Sequence, residues 1–295
     1  MNDKITLVEV GPRDGLQNES RVVDLATKIS LVERLAETGF SSVEAGAFVS
    51  PKWVPQMAAS DDVLTGISRK KGVAYPVLTP NMKGYENARR AGADMVAVFA
   101  AASETFSQKN INASISESLD RFAPVLEQAK ADGVAVRGYV SCVLGCPYEG
   151  PVSVGAVVAV ATALHEMGCY EISLGDTIGV GAPRETTALV RALKDALPVE
   201  ALAGHFHDTY GQALANIWAA IDEGVRVFDS AVSGLGGCPY AKGASGNVAS
   251  EDVVYSLHRS GLATGVDLDS LVETSLWVSQ ILGRDPQSKV THARS

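Results

Sequence analysis

The chain has 295 residues, of which 46% are hydrophobic and 20% are charged, so it can bury a large core and is not disordered throughout. Its formal net charge is −9 and its basic residues are scattered, which argues against a surface that binds nucleic acid or an anionic membrane. No apolar run approaches the ~20 residues that span a bilayer. Four cysteines in a chain of this length do not make a disulfide framework, and no apolar signal segment precedes Ile5. We therefore expect a globular cytoplasmic protein with reduced thiols.

Eight short apolar runs predict strands, beginning near Ile5, Val43, Val73, Met95, Val134, Tyr170, Ala201 and Val225. Between them apolar residues recur at helical spacing, as at Leu25, Ile29 and Val32. Such alternation predicts a parallel sheet, and eight units favour a TIM (β/α)8 barrel. The alternative is an open doubly wound sheet. Its G-x-G-x-x-G turn is missing after the first strand, where the chain reads GPRDGLQNE.

Glycines mark the predicted junctions between helices and strands. Six of them come just after a helical stretch and just before a strand, where we expect a left-handed helix end: Gly39, Gly72, Gly92, Gly133, Gly168 and Gly224.

The segment after the eighth strand differs from the rest of the chain. Residues 233–247 include five glycines in fifteen positions, which predicts a mobile lid loop. Helical patterns follow at Ser250 to Arg259 and at Leu268 to Ile281. We expect one domain over residues 1–295, with the barrel at about 4–260 and a C-terminal helical extension at about 261–295.

Polar residues at the carboxyl ends of barrel strands are candidates for chemistry, because barrel enzymes build their active sites there. The sequence offers a short set at such positions: Arg13, Asp14, Glu44, Asp176, His205, His207, Cys238 and Asn247.

The histidines in GHFHD give the sharpest local signal. Side chains alternate along a strand, so His205 and His207 share one face. Together with the carboxylate of Asp14 and the amide oxygen of Asn247 they would make a mixed nitrogen and oxygen ligand set, typical of Mg²⁺ or Mn²⁺. The alternative is a hydrogen-bonded polar pair at a strand end.

The charged candidates also have simpler interpretations. Arg13 and Asp14 could form an ion pair that ends a strand, or Arg13 could stabilise a developing oxyanion beside a metal bound by Asp14. Glu44 lies in an otherwise apolar strand, so we expect it to have a cationic or polar partner. Asp176 is either a turn residue or catalytic.

Among the cysteines, Cys238 lies in the glycine-rich loop and is the best candidate for a reactive thiol. Cys142 and Cys146 lack a matching pair at zinc-site spacing, so we interpret them as structural.

Several motifs in order resemble the 3-hydroxy-3-methylglutaryl-CoA lyase family over residues 5 to 290: VEVGPRDGLQNE, VEAGAFVSPKWVPQM, YPVLTPN, NINASI, RGYVSCVLGCPYEG, GCYEISLGDTIGVG, GHFHDTYGQALAN and GLGGCPYAKGASGNVASEDVVY. The resemblance implies a TIM barrel and a divalent metal. It implies cleavage of an acyl-CoA substrate to acetyl-CoA and acetoacetate, in leucine breakdown. It also implies site residues at matching positions: Asp14, His205, His207 and Asn247 for the metal, and Arg13, Glu44, Asp176 and Cys238 for catalysis.

Some features depart from the family pattern. Gly46 and Ala47 stand where some relatives have hydroxyl residues, and Ser20 stands where certain relatives have lysine. The sequence shows neither an organelle transit segment nor a cysteine-bearing tail, so we expect a bacterial cytoplasmic form. We separately expect the protein to be a homodimer.

The implied cleavage needs a base for the tertiary hydroxyl, for which Asp14 and His205 are both candidates. Arg13 would stabilise the enolate and Cys238 would protonate it. The alternative is a Claisen-condensing enzyme of the homocitrate or isopropylmalate synthase type, which shares the barrel and the His-x-His. Isopropylmalate synthases usually append a large regulatory domain, whereas about fifty residues follow the glycine-rich loop here.

Overall fold

The strands of the chain form a single parallel sheet. A computed structural model describes residues 4–237 and 245–295. Its strands are β1 (Thr6–Glu9), β2 (Ser42–Val43), β3 (Gly46–Ala47), β4 (Val77–Leu78), β5 (Met95–Ala101), β6 (Ala135–Ser141), β7 (Glu171–Asp176), β8 (Leu202–Phe206) and β9 (Val227–Ser230). Neighbours in the order β2-β1-β9-β8-β7-β6-β5-β4-β3 are joined by parallel ladders.

The sheet closes because its two outermost members are parts of one strand. β2 and β3 are separated only by Glu44 and Ala45. The Glu44 amide donates to the Glu9 carbonyl at 2.9 Å, and the Ala45 amide donates to the Pro76 carbonyl at 3.0 Å, so this short break contacts both neighbouring strands. The predicted eight-stranded TIM barrel is confirmed, with its second strand interrupted at Glu44.

Helices alternate with the strands and surround them: α1 (Leu25–Glu37), α2 (Ser60–Gly66), α3 (Met82–Arg90), α4 (Glu104–Ile111), α5 (Ile115–Ala131), α6 (Val154–Glu166), α7 (Pro183–Lys194), α8 (Ala213–Asp222), α9 (Ser250–Arg259), α10 (Leu268–Leu282) and α11 (Lys289–Arg294). In α1 the predicted helical-period residue Val32 is fully buried and Ile29 is partly buried against the core, but Leu25 at the helix start is exposed. The Asp24 side chain accepts a hydrogen bond from the Thr27 amide at that end. The apolar period therefore predicted the packed face of α1 except at its first residue.

All six junction glycines have positive φ, as predicted. Gly39 shows why no other residue fits well: its φ is +106°, and an added Cβ would lie 2.2 Å from the Gly265 carbonyl oxygen. Gly72 does not directly follow a helix as the other glycines do. The helix α2 already ends at Gly66, and Gly72 lies in a turn before the next strand.

The C-terminal helices agree with the sequence pattern, since α9 has the predicted bounds and α10 extends one residue beyond its predicted end. The short helix α4 was not predicted, whereas α11 lies within the predicted C-terminal helical extension. No helix in the described ranges is long and apolar enough to cross a membrane. The domain boundaries stay a prediction.

Candidate active site

A wide helical turn, Gly11–Gly15, carries the first two candidates at the carboxyl end of β1. Its backbone bond runs from the Gly15 amide to the Val10 carbonyl at 3.1 Å, and the buried Glu9 side chain accepts from the Gly11 amide at 2.8 Å. This turn places Arg13 and Asp14 side by side at the barrel rim, with the Arg13 Nη1 2.6 Å from the Asp14 Oδ1.

Glu44 contacts the same arginine from the break in the second strand. Arg13 Nε donates to Glu44 Oε2 at 2.7 Å, and the Glu44 side chain is fully buried. Burial raises the pKa of Glu44, and the positive charge of Arg13 offsets this only in part. The expected partner of Glu44 is therefore Arg13, which contacts a carboxylate on each side.

The two histidines come from the strand on the other side of β9. His205 lies inside β8, whereas His207 follows its end and forms an isolated bridge with Asn247. The Asp14 Oδ2 lies 3.9 Å from the His205 Nε2 and 4.0 Å from the His207 Nε2. One ligand atom from each of these three residues lies within 4.8 Å of the others. The structure thus brings together three of the four predicted metal ligands as a compact cluster.

The charges and spacing of this cluster fit a divalent cation. Burial opposes ionisation of Asp14, but Arg13 and the two histidines lower its pKa to about 2. Burial and the neighbouring His205 lower the pKa of His207 to about 4, so this ring is neutral at pH 7. Two atoms that each lie about 2.1 Å from one Mg²⁺ can be at most about 4.2 Å apart, and the carboxylate-to-imidazole distances satisfy this limit.

Asn247 joins the cluster through a different atom from the one predicted. Its amide nitrogen donates to the Asp14 Oδ2 at 2.8 Å and to the Leu235 carbonyl at 3.2 Å. A metal-binding role through the amide oxygen therefore requires the amide group to turn, and it stays a prediction.

Asp176 is the last residue of β7 and is fully buried. Its carboxylate accepts hydrogen bonds from the Val180 amide at 3.2 Å and the Gly181 amide at 2.9 Å. Burial raises the pKa of Asp176 despite these bonds. These contacts correspond to the turn-forming alternative, while a catalytic role for Asp176 stays a prediction.

Cysteines contribute nothing to the described cluster. The best thiol candidate, Cys238, lies outside the described residues. Cys142 and Cys146 are buried, as their structural interpretation requires, and the Cys146 Sγ lies 3.0 Å from the Ser103 Oγ.

Sequence reasoning missed a buried polar network inside the barrel, next to His205. The imidazole Nδ1 of His205 lies 3.0 Å from the Asp229 Oδ2, and Asp229 pairs in turn with Arg137. Tyr139 lies between the two arginines, its ring centroid 5.3 Å from the Arg13 Cζ and 4.9 Å from the Arg137 Cζ. The sequence does contain a signal for this network, because charged residues interrupt the predicted apolar strands in VAVRGYV and VRVFDSAV.

A comparison with known protein families identifies the chain. The HMGL-like family model matches residues 4–278. The chain belongs to the HMGL-like family. Among its relatives, the Pseudomonas aeruginosa 3-hydroxy-3-isohexenylglutaryl-CoA/hydroxy-methylglutaryl-CoA lyase is 58% identical, covering 98% of this chain and 97% of its own. The mitochondrial hydroxymethylglutaryl-CoA lyase of Gallus gallus is 56% identical, with the same coverage.

Solved structures of family members have the same fold. The Pseudomonas aeruginosa hydroxymethylglutaryl-CoA lyase matches with a TM-score of 0.97 and 57% identity, covering 100% of this chain and 99% of its own. An HMG-CoA lyase from Acinetobacter baumannii, solved with coenzyme A and 3-methylmalate, matches with a TM-score of 0.96 and 38% identity, covering 99% and 96%. These matches confirm the family that the sequence motifs resemble and the predicted barrel fold.

Proposed function

We propose that this chain is a hydroxymethylglutaryl-CoA lyase that cleaves 3-hydroxy-3-methylglutaryl-CoA to acetyl-CoA and acetoacetate with the help of a divalent cation. The observation that carries the proposal is the cluster of Asp14, His205 and His207 beside Arg13, in a chain 58% identical to a lyase of this kind over 98% of its length. Relatives that bear the same activity in their names include mitochondrial and bacterial proteins.

Asp14, His205 and His207 would hold the cation, with Asn247 as a fourth ligand after its amide turns. Carboxylate, imidazole and amide donors favour Mg²⁺ or Mn²⁺. When bound, the cation would supply Lewis acidity that makes a tertiary alcohol easier to deprotonate and a chelating point that orients the substrate.

Arg13 would stabilise the negative charge that develops on the thioester oxygen as the carbon–carbon bond breaks. Its guanidinium is buried, and burial opposes its charge, but Glu44 and Asp14 raise the pKa of Arg13 above its usual range. A permanent charge held by two carboxylates needs little reorganisation during the reaction, which is how preorganised donors lower a barrier. Glu44 would therefore act by positioning Arg13.

The proton of the substrate hydroxyl would go to Asp14 or His205. The Nδ1 of His205 faces Asp229, and its Nε2 faces the metal cluster, so both ring nitrogens have partners when the ring ligates an ion. Asp14 is equally engaged, because its Oδ1 faces Arg13 and its Oδ2 faces both histidines, so Asp14 and His205 remain alternative bases in this proposal.

Cys238 would return a proton to the enolate from the glycine-rich loop. A thiol is a suitable acid for an enolate, and its place in this loop would bring it to the substrate as water is excluded. Asp176 would order the loop after β7 beside the substrate.

We also propose that the protein assembles as a homodimer and lies in the cytoplasm. Mass photometry would test whether it is a homodimer.

The direct experiment supplies purified protein with 3-hydroxy-3-methylglutaryl-CoA and Mg²⁺ and follows acetoacetate and acetyl-CoA by chromatography, with and without chelator. Equimolar products that disappear with chelator would establish the activity. The rival assignment is a Claisen-condensing enzyme with the same barrel and metal ligands. Condensation of acetyl-CoA with a 2-oxo acid, with no cleavage of the first substrate, would replace the lyase by that synthase.

A further inference from the structure

Buried charged side chains contact one another in a row through the barrel interior. The row ends at His205, one of the residues of the proposed metal site. Arg137 in β6 donates through Nε to Glu171 Oε1 at 2.6 Å, and its Nη2 lies 2.8 Å from the Asp229 Oδ1. Asp229 in β9 then contacts the Nδ1 of His205 through Oδ2 at 3.0 Å. Arg137 is 1% exposed and Asp229 is 2% exposed, so water does not compete for these contacts.

The carboxylate oxygen that faces His205 is held from three sides. The Asp229 Oδ2 accepts from the Ser173 hydroxyl at 2.7 Å and from the Arg137 Nη1 at 3.0 Å, in addition to its contact with His205. Ser173 is itself fully buried on β7. Because three neighbouring strands supply these groups, the direction of the Asp229 carboxylate is fixed by the sheet and not by a flexible loop.

A carboxylate oxygen at 3.0 Å selects one tautomer of the ring that faces it. A carboxylate accepts and does not donate, so the proton of neutral His205 belongs on Nδ1, and the lone pair belongs on Nε2. That Nε2 is the atom that lies 3.9 Å from the Asp14 Oδ2. His207 differs, since across residues 4–237 and 245–295 no carboxylate lies within salt-bridge distance of its Nδ1.

We infer that Asp229 is a positioning residue, which sets the tautomer and orientation of His205 for metal binding, and that Arg137 and Ser173 hold Asp229 in place. This inference rests on the proposed metal-dependent function, but it concerns residues outside the metal cluster. Partners of this kind behind a ligand histidine raise the basicity of the ring and reduce its freedom, and their loss typically lowers metal affinity about 10- to 100-fold.

Asp229→Asn is the informative variant. The amide keeps the size of the side chain, but its nitrogen can donate to His205 Nδ1 and so favour the tautomer whose Nε2 carries a proton and cannot ligate. We expect the dissociation constant for Mn²⁺, measured by calorimetry on chelator-treated protein, to rise about 10- to 100-fold. Asp94→Asn is the matched control, because it makes the same substitution at an exposed carboxylate that pairs with Arg69 and is not part of the proposed metal site. We expect its dissociation constant to stay within about threefold of wild type.

The tautomer is measured directly by long-range ¹H–¹⁵N NMR of histidine-labelled, metal-free wild-type protein, with His205→Gln identifying the resonance. This measurement requires neither a stable Asp229 variant nor turnover of any substrate, so its outcome is independent of the proposed reaction. Despite its burial, His205 has its pKa raised by Asp229 and Asp14, so the spectra are recorded up to a pH at which the ring is neutral. That neutral ring is expected to carry its proton on Nδ1 alone. A ring protonated on Nε2 alone, or an Asp229→Asn protein that binds Mn²⁺ as tightly as wild type, would overturn the inference.

Discussion

Arg13 and Glu44 are joined by a buried hydrogen bond from Nε to Oε2 of 2.7 Å, although they are 31 residues apart in the chain. The contact exists because the second barrel strand breaks at Glu44, next to the turn that follows the first strand. The other edge of the guanidinium faces Asp14, so one arginine links the interrupted strand to the group formed by Asp14 and the two histidines. Its orientation is therefore a property of the barrel rim.

Replacing this arginine tests its role as the enolate partner. Arg13→Lys keeps a positive charge but loses the planar fork that serves both carboxylates. We expect kcat to fall about 10²- to 10³-fold, the usual cost of losing one donor to a developing oxyanion. The dissociation constant for Mn²⁺ should change by less than about threefold, since Asp14 keeps a cationic neighbour. Wild-type kcat in the lysine variant would remove Arg13 from the chemical step.

Loss of one imidazole should abolish metal binding and activity together. His207→Ala removes a ligand that is neutral at pH 7 and leaves Asp14 and His205 unable to complete the set. The metal also stabilises the folded state that binds it, so chelator should lower the Tm of the wild type and not that of the variant. His258→Ala, on α9 and bonded to Thr264, is the control and should keep both properties. Unchanged Mn²⁺ binding by His207→Ala would show that His207 is not a ligand of the metal.

A buried carboxyl just before the Gly11–Gly15 turn should make stability depend on pH. Burial outweighs the hydrogen bonds from Ser250, Val232 and Gly11 and raises the pKa of Glu9 from 4.5 to about 8. The unfolded chain loses this proton near pH 4.5, while the folded protein keeps it, so Glu9 lowers the free energy of unfolding progressively as pH rises towards 8.

Glu9→Gln cannot ionise and can reproduce the hydrogen bonds of the protonated carboxyl. Relative to wild type, its free energy of unfolding should therefore increase between about pH 5 and pH 8, by up to a few kcal/mol, and stay level below that window. Urea unfolding at several pH values measures this difference, with Glu37→Gln on the exposed end of α1 as the control. A difference that does not vary with pH would mean that folded Glu9 ionises normally.

The proposed thiol acid is tested by Cys238→Ala. If the thiol protonates the enolate, kcat should fall by about 10²-fold or more while substrate binding changes little. Cys169→Ala removes a buried thiol elsewhere in the barrel and should leave kcat close to wild type. Equal kcat for Cys238→Ala and wild type would exclude the thiol as the acid.

Local patterns in the sequence were sufficient for much of this architecture. Apolar runs located the strands, and glycines such as Gly39 marked where helices end, because both signals depend only on neighbouring residues. The spacing of His205 and His207 likewise placed two imidazoles on one face.

Contacts between distant residues escaped the same reasoning. Arg137 and Asp229 lie 92 positions apart, and nothing local indicates that they pair or that Asp229 meets His205. The break at Glu44 depends on strands on both sides of it, and the short helix α4 lacks an apolar period long enough to predict. Asn247 turns its amide nitrogen and not its amide oxygen towards Asp14, and this choice likewise depends on residues that meet only in the folded protein.

A titration with Mn²⁺ shows whether turnover depends on a metal ion held by Asp14, His205 and His207. Chelator-stripped protein is given increasing Mn²⁺ while acetoacetate release from 3-hydroxy-3-methylglutaryl-CoA is followed, with His207→Ala run in parallel. We expect no turnover without metal, full activity near one ion per chain, and no activity in the variant at the same metal concentrations. Full turnover by the stripped protein, or by His207→Ala, would contradict this expectation.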